Sequence, residues 1–122
     1  MSVPKLYYFD IMGRAEMIRL VLAAAGKPFK DIRFSFEEWP KSYQKKSPFG
    51  LCPWVEIDGE VFGQSVAIAT YFARQNDLYG KTDKECLQID QLLNVIQDFL
   101  ALSTKIFKET DKDKKVNDSL KA

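Results

Sequence analysis

The chain has 122 residues, of which 46% are hydrophobic, and its 18 basic and 17 acidic side chains give a formal net charge of +1. This composition predicts a packed globular core. The near-neutral charge gives no indication of a nucleic-acid or membrane partner. No apolar run approaches the roughly 20 residues that a membrane-spanning helix needs. The first ten residues lack the apolar segment of a secretion signal, so the expected location is cytoplasmic.

The residue types exclude several kinds of catalytic site. Histidine is absent, which rules out a histidine-based triad, a histidine metal site and a histidine proton shuttle. Cys52 and Cys86 are the only cysteines, and their separation fits neither a zinc site nor a CxxC redox motif. We therefore expect no bound metal. Each thiol is predicted to be structural rather than reactive.

Four segments are predicted in the first half of the chain. Residues 5–9 are rich in aromatic side chains and predict a strand. Residues 14–25 carry apolar side chains at helical spacing, and Gly26 is suited to end that helix. Residues 31–36 alternate with period two, which is typical of a half-buried strand. Residues 37–47 are polar and predict an irregular loop with a short helix.

A hairpin and a helix follow. Asp58-Gly59 separates two short β-favouring runs, and both turn positions tolerate positive φ. Cys52-Pro53 enters the first of these strands, and about 5% of X-Pro bonds in folded proteins are cis. Ser65 is predicted to cap the helix that begins after Gln64. The order β-α-β, then β-β-α predicts a thioredoxin-like α/β fold with helices on both faces of a mixed four-stranded sheet.

A second domain is predicted to begin near residue 79, so that residues 1–78 form the first domain. Residues 82–85 form a capping box at the start of a long helix. Its apolar residues recur at helical spacing, and the stripe continues toward Ile106 and Phe107: Ile89, Leu92, Leu93, Ile96, Phe99 and Leu100. Residues 109–122 are mostly charged and predict a frayed end or a helix whose packing partners are missing.

The sequence resembles the cytosolic glutathione transferases, most closely the sigma class, which also contains prostaglandin D synthases and cephalopod lens crystallins. The resemblance covers essentially the whole chain and rests on five groups of residues: Tyr8-Phe9 with residues 12–16, Glu38-Trp39-Pro40, Pro48-Phe49-Gly50 with Pro53, Asp58-Gly59, and residues 64–69. It implies a glutathione-binding first domain and an all-α second domain, of which residues 79–122 would supply the first helix or so. Glutathione would be the co-substrate.

The resemblance also implies a glutathione site. The hydroxyl of Tyr8 would donate a hydrogen bond to the glutathione sulfur and stabilise the thiolate. Gln64 and Ser65 would bind the γ-glutamyl carboxylate at the helix N-terminus, which suits an anion. The backbone of Cys52, next to Pro53, would pair with the cysteinyl unit as a strand does.

Further residues complete the implied site. Phe9 belongs to it, Arg14 would brace it, and Trp39 with Lys45 would bind the glycyl carboxylate, Lys46 being the alternative. Asp98 would reach across a two-fold interface to the glutathione of the partner subunit. The implied partners are glutathione, a small electrophile and, if the second domain is complete, an identical subunit.

Most of these residues also have a simpler structural explanation. Tyr8 could be a packed core aromatic, and Ser65 could only cap its helix. The lysines and Asp98 could be ordinary surface charges. Arg14 could pair with Glu16 or Asp10. Cys52 beside bound glutathione also raises the hypothesis of a mixed disulfide.

Three functions are compatible with these patterns. The first is an enzyme that adds glutathione thiolate to electrophilic substrates. The second is a catalytically weak paralogue or crystallin-like structural protein that keeps a glutathione site. The third is a binding module that uses the apolar stripe of the long helix. Within the resemblance, Gln97 replaces an acidic residue of a divalent-ion site, and Lys105 replaces a tryptophan of the prostaglandin pocket. Both replacements argue against those two properties.

Overall fold

The structure, a computed structural model, describes residues 2–108. The predictions for the charged segment 109–122 therefore lie outside the described residues. The strands are β1 (Lys5–Phe9), β2 (Lys30–Phe34), β3 (Trp54–Ile57) and β4 (Glu60–Gly63), and the helices are α1 (Glu16–Ala24), α2 (Ser65–Gln75) and α3 (Asp83–Lys108). Within residues 2–108, no helix is both long and apolar enough to cross a bilayer.

The four strands form one mixed sheet in the order β2-β1-β3-β4. β1 runs parallel to β2 and antiparallel to β3, and β4 pairs antiparallel with β3. The thioredoxin-like fold is confirmed. The hairpin turn also follows the sequence, since Asp58 has φ 50° and Gly59 has φ 84°. Positive φ at both positions is the requirement of the turn that matches the twist of two paired strands.

One face of the sheet packs on α1 and α2. Successive strand residues point to opposite faces, so Leu6 and Tyr8 of β1 share this face with Val55 of β3. These side chains form a buried cluster with Ala15, which directly precedes α1, and with residues of the two helices: Ile18, Leu22, Ile68, Ala69 and Phe72. The cluster fixes the end of β1 where Tyr8 lies.

The opposite face is covered by aromatic side chains. Tyr7 stacks on Trp54 with ring centroids 4.5 Å apart, which confirms that it faces away from Tyr8 and packs. Tyr43 stacks on Phe34 at 4.5 Å. The segment over this face consists of a π-helical turn, Trp39–Tyr43, and a 3₁₀ turn, Gln44–Lys46. The second face thus carries two short helical turns rather than a full helix.

The strand predicted over residues 31–36 is β2, which ends at Phe34. The reason is local. The Ser35 amide donates to Glu38 Oε1 at 2.9 Å, and the Glu38 amide donates to Ser35 Oγ at 3.0 Å. This reciprocal pair is a capping box, and it turns the chain out of the sheet.

The two predicted helix ends are confirmed. After α1, Gly26 has φ 66°, and the amide of Lys27 donates to the Leu22 carbonyl at 3.0 Å, as in a glycine-terminated helix. Before α3, Thr82 and Glu85 exchange side chain-to-backbone hydrogen bonds of 3.1 Å. The chain divides into two compact units, Met1–Tyr79 and Gly80–Ala122. No residue of α3 is buried.

Candidate active site

Tyr8 lies near the end of β1 with its side chain directed into the helix-covered face. The residue is 7% exposed. Its hydroxyl oxygen accepts a hydrogen bond from the backbone N–H of Arg14 at 3.2 Å. A phenol that accepts in this way still has its own O–H to donate. The arrangement can therefore offer one proton to an acceptor at the surface of the first domain.

Gly13 makes this arrangement possible. Its φ of 41° lies in the left-handed region, where a residue with a side chain is strained. A Cβ at this position would also collide with the Tyr8 hydroxyl and come within 2.8 Å of ring atom Cε2. The turn between β1 and α1 thus packs its backbone directly on the phenol.

The surroundings of Tyr8 change the acidity of its hydroxyl in opposing ways. Burial is the largest effect and raises the pKa above its ordinary value of 10.0. The N–H of Arg14 lowers the pKa, the nearby Cys52 thiol raises it, and the cations of Arg14 and Arg19 lower it. The balance is a raised pKa. Tyr8 is therefore a protonated donor across the neutral range.

Arg19 is the functional candidate that sequence reasoning missed. It lies on α1 and is 6% exposed. Its guanidinium donates to the Ile11 carbonyl at 2.8 Å, and it pairs with Glu16 and Asp31 at 3.1 Å each. A signal was present in the sequence. Arg19 falls at helical spacing among the apolar residues of α1, where an unpaired charge would be costly.

The simpler explanation for Arg14 pairs it with Glu16 or Asp10. In the structure these two carboxylates have other arginine partners. Glu16 pairs with Arg19, and Asp10 pairs with Arg33 at 2.9 Å. The backbone N–H of Arg14 makes the hydrogen bond to the Tyr8 hydroxyl oxygen.

Cys52 and Pro53 lead into β3 beside this tyrosine. The Cys52–Pro53 peptide bond is cis. Pro53 is buried, and Cys52 is half-buried against the core cluster. Burial raises the pKa of the Cys52 thiol to about 12. Because the thiolate is the reactive form, this shift disfavours the mixed-disulfide hypothesis and supports a structural thiol.

The start of α2 differs from the prediction. The capping position belongs to Gln64, whose side chain makes no capping hydrogen bond, and Ser65 is the first residue of the helix. The Gln64 carbonyl accepts the first helical bond, from the Ile68 amide at 3.0 Å. Gln64 has φ 72° and is exposed, whereas Ser65 is buried. The prediction that Ser65 caps the helix was therefore wrong by one residue.

The strand register brings three of the predicted residues together. Tyr7 pairs with Trp54, and Trp54 pairs with Gly63. The next residues in these strands are Tyr8, Pro53 and Gln64, so they lie side by side at one end of the sheet. The N-terminus of α2 begins at this end. We call this end of the sheet the Tyr8 cleft; it combines a phenol, the backbone next to a proline, and a helix N-terminus.

Other predicted residues lie on the aromatic face. Phe9 stacks on Phe36 at 4.4 Å, and Trp39 stacks on Phe34 at 5.5 Å. Lys46 places its ammonium 5.7 Å from the centre of the Tyr43 ring, while Lys45 is exposed on the same turn. These contacts explain Phe9 and Trp39 as packing residues. They do not join Lys45 to Tyr8.

Two further features concern Asp98 and a groove on the first unit. Asp98 is exposed on α3, in the second compact unit. A groove of about 570 Å³ lies along β4 and α2 and includes Phe49, Phe62, Gln64 and Tyr71, but not Tyr8 or Cys52. In the described range 2–108, no three acidic or sulfur ligands are grouped to hold a metal ion.

Comparison with known proteins agrees with this architecture. Residues 4–74 match the family described as "Glutathione S-transferase, N-terminal domain". The chain is 43% identical over 116 residues to glutathione S-transferase 1 of Ascaris suum, covering 90% of this chain and 56% of that protein. The chain thus spans little more than half the length of this relative.

Solved structures agree as well. A prostaglandin synthase D of Nilaparvata lugens is 35% identical with a TM-score of 0.87, covering 97% of this chain and 59% of the other. A glutathione S-transferase of the hookworm Necator americanus, described as monomeric, is 37% identical with a TM-score of 0.81, covering 95% and 59%. The fold and the cleft define a thioredoxin-like domain with a tyrosine at its first strand. The chain belongs to the glutathione S-transferase family.

Proposed function

We propose that the chain contributes to a glutathione transferase of the sigma class, which adds glutathione thiolate to small electrophiles. The observation that carries the proposal is the Tyr8 hydroxyl. It is buried, it accepts the Arg14 N–H at 3.2 Å, and it keeps its own proton for donation. Relatives named as glutathione S-transferases support the reaction class.

The proposed chemistry needs no covalent enzyme intermediate. The bound thiol loses its proton to solvent, and the Tyr8 O–H donates to the resulting thiolate sulfur. Stabilisation of the thiolate by one pKa unit corresponds to about 1.4 kcal/mol. The sulfur then forms a bond to the electrophilic carbon, and a leaving group such as chloride departs with its electron pair. Proximity of the two bound reactants supplies the remaining acceleration.

The rest of the proposed site binds glutathione along the end of the sheet. The N-terminus of α2, at Gln64 and Ser65, would receive the γ-glutamyl carboxylate. The positive φ of Gln64 supports this assignment, because strained backbone is concentrated at binding sites. The backbone of Cys52, beside Pro53, would pair with the cysteinyl unit.

Five more residues belong to the proposal. Arg14 would brace the site, and Phe9, Trp39 and Lys45 would lie toward the glycyl end. Asp98 would act in a homodimer, by contact with the partner's glutathione. The hookworm relative is described as monomeric. The mass of this chain in solution therefore tests the proposed dimer directly.

The test compares Tyr8→Phe with Tyr7→Phe in conjugation of glutathione to a chloronitrobenzene. Tyr7 is a matched control because its ring packs on Trp54 at the opposite face. We expect Tyr8→Phe to bind glutathione normally but to lose about tenfold or more in turnover, while Tyr7→Phe keeps its rate. Unchanged turnover in Tyr8→Phe would rule out the role given to its hydroxyl.

The second candidate is a glutathione-binding protein with little catalysis. The observation that favours it is the burial of Tyr8, because an aromatic side chain packed in a core needs no catalytic role. Glutathione binding by folded chain with a conjugation rate equal to buffer would support this candidate. If the folded chain neither binds nor conjugates glutathione, both candidate functions are ruled out.

A further inference from the structure

Arg19 connects three parts of the first domain under the Tyr8 cleft. Its Nε donates to Asp31 of β2, and its Nη1 donates to Glu16 of α1, both at 3.1 Å. The same Nη1 donates to the Ile11 carbonyl at 2.8 Å and lies 3.5 Å from the Met12 carbonyl. The Arg19 side chain is almost completely buried, which strengthens these bonds relative to exposed ones.

The two carbonyls belong to the turn that contacts Tyr8. This turn runs from the end of β1 to the start of α1, and its next two residues are Gly13 and Arg14. Gly13 packs on the phenol, and the Arg14 N–H bonds to its oxygen. The Met12 carbonyl also accepts the Glu16 amide at 2.9 Å. The Arg19 guanidinium therefore fixes the backbone immediately before the Arg14 N–H, which donates to the Tyr8 oxygen.

Two observations argue against a purely stabilising role. Within residues 2–108, the buried Nη2 of Arg19 has no hydrogen-bond partner, and burying a charge with an unmade bond is costly. A well-packed apolar side chain would serve stability equally well. The guanidinium carbon also lies 6.0 Å from the centre of the Tyr8 ring. The charge is thus retained next to the phenol.

We propose that Arg19 is a positioning residue for Tyr8: by holding the Ile11 and Met12 carbonyls, it delivers the Arg14 N–H to the phenol oxygen. The role of Tyr8 in thiolate stabilisation rests on the proposed function, but the positioning of its hydroxyl does not. Three charged or titratable groups act on Tyr8, namely Arg14, Arg19 and Cys52. Loss of Arg19 removes one cation and loosens the N–H bond, so the pKa of Tyr8 should rise further.

The experiment titrates Tyr8 directly in the full 122-residue chain without glutathione. Tyrosine is labelled with carbon-13 at the ring carbon that bears the hydroxyl, and its NMR shift is followed with pH. Tyr8→Phe assigns the signal. Arg19→Met removes the charge at similar volume, and Arg19→Lys keeps a charge but loses the forked geometry. Arg33→Met is the matched control, because Arg33 also pairs with Asp31 but is exposed.

We expect the Tyr8 titration to move to higher pH in Arg19→Met, to move less in Arg19→Lys, and to stay in place in Arg33→Met. Where the chain conjugates glutathione, turnover should fall about tenfold in Arg19→Met with little change in the KM for glutathione. An unshifted Tyr8 signal in folded Arg19→Met or Arg19→Lys would overturn the proposal.

Two other outcomes are decisive. If Arg19→Met does not fold, the Tyr8 titration of Arg19→Lys alone decides the proposal. If neither variant folds, Arg19 is needed for stability and the proposal fails. If the wild-type chain does not bind glutathione, the proposed function fails, while the Tyr8 titration still reports on Arg19. The two failures are therefore distinguishable.

Discussion

The backbone of the turn after β1 packs directly on Tyr8, and this determines which substitutions should disturb it. Gly13 and Gly26 both have positive φ, 41° and 66°, so alanine is strained at either position. Only at Gly13 would the new Cβ meet another residue, the Tyr8 phenol; around Gly26 the space within 4 Å is empty. Comparing alanine at these two positions therefore separates the effect of backbone strain from the effect of contact with Tyr8.

We expect Gly26→Ala to lower the free energy of unfolding by about 1 kcal/mol. Gly13→Ala should cost about 1–3 kcal/mol more, because it overpacks the core around the phenol, and it should also shift the Tyr8 NMR signal. Urea unfolding of both variants measures the difference. An equal loss of unfolding free energy in the two variants would show that the turn can shift to accept the new Cβ without disturbing Tyr8.

The acidity of Cys52 gives a second prediction for a single residue. Its thiol pKa is raised to about 12 by burial, so at pH 7 the thiolate fraction is on the order of one in a hundred thousand. We expect Cys52 to stay unmodified by oxidised glutathione in the folded chain and to react once urea exposes it. Peptide mapping by mass spectrometry measures the modification. A Cys52–glutathione adduct on folded protein would revive the mixed-disulfide hypothesis.

At the scale of elements, the sequence predicted features whose chemistry is local. The hairpin follows from Asp58 and Gly59 alone, and the start of α3 follows from Thr82 and Glu85, because their bonds span four residues or fewer. The prediction failed by one residue at Ser65. Gln64 adopts the positive φ there, a conformation that glutamine does not favour locally and that the surrounding fold imposes.

Arg19 was missed for a similar reason. The sequence places Arg19 among the apolar positions of a helix, but long charged side chains at such positions usually extend their charge to solvent. Its role depends on β2 bringing Asp31 next to the turn after β1, which is a tertiary event. Conversely, Trp39 and Phe9 stood out in the sequence, but the fold uses them in the aromatic face. Their contact with glutathione stays a prediction.

The capping box of α3 can be tested by exchange of a single amide. Thr82→Ala removes the acceptor of the Glu85 N–H and should cost about 1 kcal/mol, which corresponds to roughly fivefold faster exchange at Glu85. Thr104→Ala is the matched control, because Thr104 bonds back to the Leu100 carbonyl within the helix. Its removal should leave Glu85 unchanged. Equal exchange in the two variants would contradict the capping role.

At the scale of the whole molecule, the two compact units differ in how they bury apolar surface. The first unit encloses a core around Leu6, Ile18 and Val55, whereas no residue of α3 is buried. In proteins, most of the stability of a helix comes from packing its amphipathic face rather than from helix propensity. The division between residues 79 and 80 lies one residue from the predicted domain boundary, which we retain as a proposal.

We therefore expect residues 1–79 to fold alone with a cooperative urea transition and an unshifted Tyr8 titration. Residues 80–122 as a separate peptide should be only partly helical by circular dichroism, since α3 buries none of its residues and helical stability depends mostly on packing. Loss of cooperative unfolding in residues 1–79 would show that the first unit depends on the rest of the chain.

The turn between β1 and α1 also has a practical consequence. Arg19 bonds to Ile11 and Met12 through their backbone carbonyls, and these two residues are 44% and 67% exposed. The side chains at these two positions can therefore be exchanged without altering the bonds that hold the turn. A fluorophore attached at position 12 would lie a few residues from the phenol and could report, by its emission, when a ligand enters the cleft.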